Sequence, residues 1–448
     1  MTALENFARN IGGWIATAII AASLSCPAAA LPIERVVSGS GIEAWLVRDP
    51  SVAFVTLNFS FRGGTSQDPA DKTGVANMVA RLLTEGAGDF VAQTFHERLQ
   101  AKAVELYFSA DRDRIGGSLR TLIENRSEAV ELLRLALAAP RFDGADLERV
   151  RAETRAILRH ESVDPDAIAS ARWWETAFDG HPYGRPLRGT FASVSLITKD
   201  DLIAYVRNVL ARDTLKIGIV GNIDPAGASE LIDRAFDALP AKAQLSRLTT
   251  ASPQTLGQHI AIDVNVDQSV VLFGGKGIAR NDPDFMAALI VNQILGADSP
   301  SSRLFKEVRV KRGLAYSVRS TLMPLEQSAC LLILTATRRE HVGQTTEIVE
   351  AEIRQLEADG PTERELTEAK SILNGSFMFR LDTSLEIADQ LVQTQFEERG
   401  IDYIDGYSAR LSGVSMADVK RVAKRLLGGP LLVTVVGRSK DMVPTNPR

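Results

Sequence analysis

Residues 73–86 read TGVANMVARLLTEG, and this stretch decides how the chain is organised. Its apolar residues recur with the period of an α-helix, at positions Val75, Met78, Val79, Leu82 and Leu83. This spacing predicts a helix that buries one continuous stripe against a core.

The same helix carries a second face with an unusual set of side chains. Asn77 and Arg81 are one turn apart, and Ala80 lies beside them. Residues four apart on a helix are neighbours, so the amide, the methyl group and the guanidinium share one patch. We treat this patch as a candidate site whose chemistry needs an explanation.

An internal repeat sets the architecture. Four blocks recur in the same order, at an offset that stays at roughly 210–217 residues. The matched blocks are 66–86 with 280–298, 95–122 with 304–334, 143–158 with 359–374, and 214–224 with 430–441. A period this long indicates duplicated domains, because solenoid repeats are far shorter.

Each half mixes strand-like and helix-like runs. Residues 51–61 and 214–223 are predicted strands, whereas 127–139 and 144–162 are predicted helices, the last opening at an Asp-Gly cap. The fold class is therefore α+β, with a sheet covered by helices in each half. The predicted parts are a leader (1–30), a first half (31–240), a polar linker (241–258) and a second half (259–448).

The composition argues against a nucleic-acid-binding protein. The chain has 448 residues, of which 45% are hydrophobic and 24% charged, with a net charge of −5, and it shows no basic stripe that would suit a nucleic acid.

The N-terminus has the features of a cleaved signal peptide: Arg9, then an apolar run, then small residues ending at Ala30. These features predict a periplasmic protein, with a membrane anchor as the alternative. The run is shorter than the ~20 residues of a membrane-spanning helix. Cys26 would leave with the leader, and Cys330 is predicted to be a packing residue.

Residues 61–86, the turn FDGHPYGRPLRGT (178–190) and the duplication together resemble a known family. The chain is similar to the inverted zinc-motif peptidases, the pitrilysin, insulinase and mitochondrial-processing-peptidase group, from about Val36 to Gly437. The resemblance implies two homologous α/β roll halves. It also implies that His181 in the turn is structural.

The chain differs from that family at the positions of the metal ligands. The resemblance places the family's His, Glu and His at Asn77, Ala80 and Arg81, which offer a poor ligand, no proton carrier and a permanent cation. The family's third ligand would fall on Glu153, with Glu148 as the alternative. We predict no metal in this chain. Either Arg81 pairs with Glu153 in the place of the metal, or both are solvated surface charges.

The second half, unlike the first, retains candidate functional residues of that family. By resemblance, Arg309 and Tyr316 match an Arg and a Tyr that the family uses to hold a substrate carbonyl and to donate to the oxygen that becomes negative. This implies a non-catalytic, substrate-binding subunit of a heterodimeric zinc peptidase, inactive alone. Zinc would reside in a homologous H-x-x-E-H partner, and an unfolded peptide would be the substrate. The alternatives are a peptide-binding or scaffold protein and an autonomous zinc peptidase with unusual ligands.

Overall fold

The computed structural model describes residues 31–297 and 299–437. The predicted leader, residues 1–30, lies outside these described residues, and so does the end of the chain after Gly437. Within the described part, no helix has the length and apolar character needed to cross a membrane.

The first half builds one mixed sheet from strands that are mostly buried on the face that meets the core. Its strands are β1 (Ile33–Val37), β2 (Glu43–Arg48), β3 (Phe54–Arg62), β6 (Glu105–Ala110), β7 (Arg114–Leu122) and β8 (Lys216–Gly221), with β4 (Gly86–Ala87) and β5 (Phe90–Val91) forming a small separate hairpin. The strand order is β1-β2-β8-β3-β7-β6, in which only β2 and β8 run parallel.

The described part of the first half contains eight α-helices. They are α1 (Val75–Leu82), α2 (Ala92–Ala101), α3 (Arg126–Ala138), α4 (Gly144–Glu161), α5 (Pro165–Ala177), α6 (Phe191–Leu196), α7 (Lys199–Val209) and α8 (Pro225–Phe236). All of them except α5 belong to the packing layer of this half. The helices predicted at 127–139 and 144–162 are α3 and α4 within one residue at each end. Asp143 is the residue before α4, as expected, but its side chain does not cap the helix and accepts instead from Arg141.

The second half repeats the plan with its own sheet and helices. Its strands are β9 (His259–Ile262), β10 (Gln268–Lys276), β11 (Ala315–Pro324), β12 (Ala329–Arg338) and β13 (Leu432–Val436). Its helices are α9 (Phe285–Leu295), α10 (Val342–Asp359), α11 (Glu363–Phe379), α12 (Ser384–Phe396), α13 (Tyr407–Gly413) and α14 (Met416–Leu427), and a π-helical turn spans Phe305–Val310.

The two sheets share one topology. Read from the opposite end, the second sheet runs β9-β13-β10-β12-β11, and its only parallel pair is β13 with β9. This matches β2-β8-β3-β7-β6 strand for strand, including the position of the parallel pair. The α+β class with two repeated halves, predicted from the internal repeat, is confirmed.

One helix of each half packs on the sheet of the other half. α5 packs on β10 and β13, and α12 packs on β8 and β3. At the first contact the Trp173 indole N–H donates to the carbonyl of Leu432 at 3.3 Å, and Gly274 makes room for the ring, because a Cβ there would lie 2.1 Å from it. At the second contact Gln395 donates to the carbonyl of Ile217 at 2.8 Å. The halves are therefore one packed body.

The segment predicted as a linker is held by backbone hydrogen bonds to both halves. The backbone N–H of Ala251 donates to the carbonyl of Gln327 in the β11–β12 turn, and that of Gln254 donates to the carbonyl of Ala177 at the end of α5. The domain limits themselves remain sequence predictions.

Candidate functional site

α1 is held at a fixed place by its N-terminus. Asp68 accepts hydrogen bonds from the backbone N–H groups of Gly74 at 2.7 Å and Ala76 at 2.9 Å, which satisfies donors that a helix start leaves free. Burial raises the pKa of Asp68 to about 7, although these donors favour its anion. Gly74 has φ 101°, and a Cβ there would approach the carbonyl of Arg188 to 2.6 Å, so the turn into α1 requires glycine.

The sequence placed the buried stripe of α1 correctly, since Val75, Met78, Val79, Leu82 and Leu83 are all buried. α1 packs against β6, which is an edge strand of the first sheet. The helix with the unusual side chains therefore lies beside a sheet edge that pairs with only one neighbour in the described chain.

On that face, the three positions of the lost motif have distinct surroundings. Ala80 is buried at 4% exposure and offers no polar atom. Asn77 is half-buried, and among the described residues its side-chain oxygen has no hydrogen-bond partner. Arg81 donates to Glu153 on α4 at 2.6 Å, so of the two alternatives that the sequence left open, the ion pair is the one that is formed.

A second arginine completes a network of charges around this pair. Arg149 lies 3.0 Å from Glu153, 2.7 Å from Glu85 and 3.3 Å from Asp146. Two guanidinium groups thus lie among three carboxylates, which neutralises much of the negative charge that would attract a cation. In addition, the imidazole of His96 lies 3.8 Å from the Glu85 carboxylate.

Zinc does not fit these residues. Asn77 leaves an unpaired amide oxygen rather than an imidazole, and the Arg81 guanidinium already occupies the Glu153 carboxylate. Across residues 31–297 and 299–437, no group of three or more His, Cys, Asp or Glu side chains is arranged to hold a metal ion. Glu148, the alternative remnant ligand, is exposed and lies 3.4 Å from Arg151, so Glu153 is the carboxylate that faces α1.

The second candidate pair lies in the other half, and it is arranged differently. The Arg309 guanidinium carbon lies 4.8 Å from the ring centre of Phe305 and 4.7 Å from that of Tyr316, so the cation is held between two aromatic rings. Tyr316 is 79% exposed, and the β11–β12 register skips it between Ala315 and Ser317. Such a bulge turns a side chain away from the regular pleat of the sheet.

The neighbouring basic residues are already engaged. Arg312 donates to the Glu307 carboxylate at 2.6 Å and to the Glu307 carbonyl at 2.9 Å, and Lys311 also donates to that carboxylate. Hydrogen bonds from Lys311 and Arg312 hold the pKa of Glu307 below its usual value. In the described part of the chain Arg309 has no such carboxylate, so it remains available to a substrate or partner.

A partly buried ion pair anchors the segment that carries Arg309. Arg303 donates from Nε to Glu365 at 2.7 Å and from Nη2 at 2.9 Å, and also to the carbonyl of Gly360 at 3.1 Å. Glu365 is partly desolvated, which raises its pKa, but hydrogen bonds from Arg303 and Thr362 outweigh this and lower the pKa to about 2. No pattern in the sequence indicated this pair.

The turn around His181 connects the halves. The Tyr183 hydroxyl donates to the Asp113 carboxylate at 2.5 Å and accepts from the backbone N–H of Gln327 at 3.1 Å, while Asp113 also accepts from the N–H of Glu326 at 3.0 Å. His181 accepts from the N–H of Tyr183 at 3.2 Å. These contacts give the turn a structural role, and neither the Tyr183–Asp113 pair nor the contacts with Glu326 and Gln327 could be seen in the sequence.

Within the described residues, no hydrogen bond, ion pair or ring contact joins Arg309 or Tyr316 to the α1 site. The structure brings Arg81 and Glu153 together, and it brings Arg309 and Tyr316 together. The two pairs remain separate within this chain.

Sequence comparisons match two family models. One is described as insulinase (peptidase family M16) and covers residues 44–191, and the other is described as the peptidase M16 inactive domain and covers residues 196–373. Together they span most of the chain, and they meet near the point where α6 ends.

Individual relatives are distant but nearly full-length. The chain is 22% identical over 410 residues to an uncharacterized zinc protease of Bacillus subtilis, covering 92% of this chain and 99% of the relative. It is 27% identical over 333 residues to a protein of Helicobacter pylori named a non-peptidase homolog, covering 73% of this chain and 76% of the relative.

Solved structures agree on the fold. A peptidase M16 inactive domain from Pseudomonas fluorescens superposes with a TM-score of 0.86 at 25% identity, covering 93% of this chain and 100% of its own. A protease from Helicobacter pylori gives a TM-score of 0.83 at 18% identity, covering 90% of this chain and 99% of its own.

Proposed function

Since the chain belongs to the insulinase family of peptidases, family M16, we propose that it is the non-catalytic, substrate-binding subunit of a heterodimeric zinc peptidase. Its partner would be a homologous chain with an intact H-x-x-E-H helix, and that partner would hold the zinc. The chain alone would be inactive, and its substrates would be unfolded peptides.

One contrast within the molecule carries this proposal. Arg81 and Glu153 close the position of the lost metal with an ion pair at 2.6 Å, whereas on the second half Tyr316 is exposed and the half-buried Arg309 has no carboxylate partner among the described residues. A scaffold gains nothing from an arginine held between two rings beside an exposed tyrosine. A subunit that completes another chain's active site needs such an arrangement.

The two side chains would act on the peptide bond held in the partner's site. The Tyr316 hydroxyl would donate to the carbonyl oxygen as negative charge develops on it, and Arg309 would hold the adjacent substrate carbonyl. A donor aimed at developing charge is worth on the order of 3–4 kcal/mol, or about 100- to 1000-fold in kcat. The ring contacts of Arg309 reduce the freedom it would lose on binding.

The peptide would bind as an added strand. β6 is an edge strand that pairs only with β7 among the described strands, and its neighbour α1 is the helix of the lost motif. Backbone hydrogen bonds along such an edge bind peptides with little dependence on side chains. The equivalent edge in the partner would present the peptide to the zinc, and the signal-peptide prediction places the complex in the periplasm.

The first test is to recover the chain from its native host under gentle conditions and to identify what accompanies it by native mass spectrometry. We expect a second chain with an H-x-x-E-H helix and one zinc. Recovery of the chain alone, or as a zinc-free homodimer, would remove the main support for the proposal.

The second test uses the reconstituted pair. Tyr316→Phe and Arg309→Gln should lower kcat by about 100-fold or more while the zinc content stays unchanged. Arg312→Gln is the matched control, because Arg312 already donates to Glu307 at 2.6 Å and should affect turnover little. N-terminal sequencing of the periplasmic fraction tests the leader, with cleavage expected before Leu31.

The second candidate function is a peptide-binding or scaffold protein without a peptidase role, and the name of the Helicobacter pylori relative, a non-peptidase homolog, favours it. Unchanged turnover of the Tyr316→Phe complex would support that reading. An autonomous zinc peptidase with unusual ligands would instead give stoichiometric zinc in the isolated chain.

A further inference from the structure

A cavity of about 1000 Å³ lies in the first half, between α5, α6 and the loop of residues 178–190. Its volume is within the range of sites that hold small organic ligands. Much of its wall is apolar, formed by Leu158, Ile168, Trp174, Phe178 and Leu196. Neither the lost metal site nor the Arg309–Tyr316 pair lines this cavity.

Two of the arginines around this cavity are paired with carboxylates. Arg188 donates to Glu161 at 2.5 Å, and Arg172 lies 3.3 Å from Glu175. These pairs lie at the rim, where the side chains are partly exposed. Within these two pairs the charges balance.

Arg112 is different from these two. Its guanidinium carbon lies 3.7 Å from the ring centre of Trp174, and its Nε donates to the carbonyl of Tyr183 at 3.1 Å. In the part of the chain that the structure describes, no carboxylate forms an ion pair with it. Burial lowers the pKa of Arg112 to about 10, so it remains a cation at neutral pH.

This leaves a half-buried cation on an apolar wall. Its Nε is occupied, but among the described residues no hydrogen bond or ion pair engages the two terminal nitrogens. A guanidinium whose plane is fixed by stacking presents a rigid fork to a carboxylate. A ligand that supplies both oxygens and an apolar body would satisfy the site.

We propose that this cavity binds a carboxylate carried on an apolar group, with Arg112 as its anchor. The chemistry is shared by two sources: the carboxyl end of a peptide with an apolar last residue, and a free amphipathic acid. The site is distinct from the proposed active-site contribution, and it stands whether or not the chain pairs with a zinc-bearing partner.

The test titrates the purified full chain by calorimetry with three probes: acetyl-leucyl-phenylalanine with a free carboxylate, the same dipeptide as its amide, and decanoate. At least one of the two acids should bind, and the amide should bind at least about tenfold more weakly than the free dipeptide if the peptide is the source. Tighter binding of the dipeptide acid identifies a peptide end, and tighter binding of decanoate identifies a free acid. Failure of both acids to bind at millimolar concentration would overturn the proposal.

Two substitutions distinguish a specific role of Arg112 from a general effect of positive charge around the cavity. Arg112→Gln should weaken the acid that binds by at least about tenfold, whereas Arg172→Gln, a cavity arginine already paired with Glu175, should change it less than about twofold. Equal losses for both variants would refute the assignment of Arg112. If Arg112→Gln does not fold, Ile168→Trp fills the cavity from its apolar side and should abolish binding, and retained binding would place the ligand elsewhere.

Discussion

Replacing Glu365 by Gln removes the charge that fixes the segment in front of Arg309. Glu365 accepts two hydrogen bonds from Arg303 and also accepts from the backbone N–H of Thr362 at 2.8 Å, where it caps α11. Arg303 lies directly before the π-helical turn that carries Arg309. The substitution therefore acts on stability and on the position of the proposed substrate-binding arginine at once.

The magnitude follows from the pKa. The fold lowers the pKa of Glu365 from its ordinary 4.5 to about 2, and each unit corresponds to about 1.4 kcal/mol, so the charged form stabilises the fold by about 3 kcal/mol. Because the folded pKa lies below the unfolded one, this stability is fully present above pH 4.5 and is lost as the pH falls towards 2. Roughly 40% of it should be gone by about pH 3.5.

The assay is urea unfolding of the wild type and Glu365→Gln between about pH 7 and pH 3.5, with hydrogen exchange of residues 304–310 as the local readout. Glu363→Gln is the matched control, because Glu363 is an exposed acid in the same first turn of α11. We expect a loss of about 2–3 kcal/mol for Glu365→Gln at pH 7, shrinking at lower pH, against under about 1 kcal/mol for the control. Equal losses for the two variants, or a loss independent of pH, would refute this reasoning.

Two further predictions concern the lost metal site and the contact between the halves. Arg81→Met should lower the free energy of unfolding by about 0.5–1 kcal/mol, because the Arg81 and Glu153 side chains are 28% and 44% exposed, and a double-mutant cycle with Glu153→Gln that gives no coupling energy would count against the pair. Gly274→Ala should destabilise the chain by about 1–3 kcal/mol or more, because the new methyl group would lie 2.1 Å from an indole ring. Gly144→Ala, where a Cβ meets nothing within 4 Å, is its control, and similar unfolding midpoints for both variants would contradict the close packing of α5 on β10.

Much of the candidate site could be predicted from the sequence, for identifiable reasons. The buried stripe of α1 follows from its period, and the family resemblance offered the pairing of Arg81 with Glu153, which are 72 positions apart, as one of two alternatives. The choice between Glu153 and Glu148 could not be made, because both lie on one helix and only the packing of α4 decides which side faces α1. Nor does the sequence show that the Glu307 carboxylate holds Arg312 and leaves Arg309 without such a contact among the described residues.

By itself the sequence determined the α+β class, the duplication and the main helices and strands, because these follow from the periodicity of apolar residues and from the internal repeat. It also determined the loss of the metal motif, because that loss depends only on which residues occupy the motif positions. Only the tertiary structure decided which elements meet. Trp173 packs on Gly274 in the other half, Arg112 stacks on Trp174, and Arg309 lies between two rings. A period of 3.6 or 2 tells which face of an element is buried, but it carries no information about the partner. Contacts between residues far apart in the chain are set by how whole layers pack.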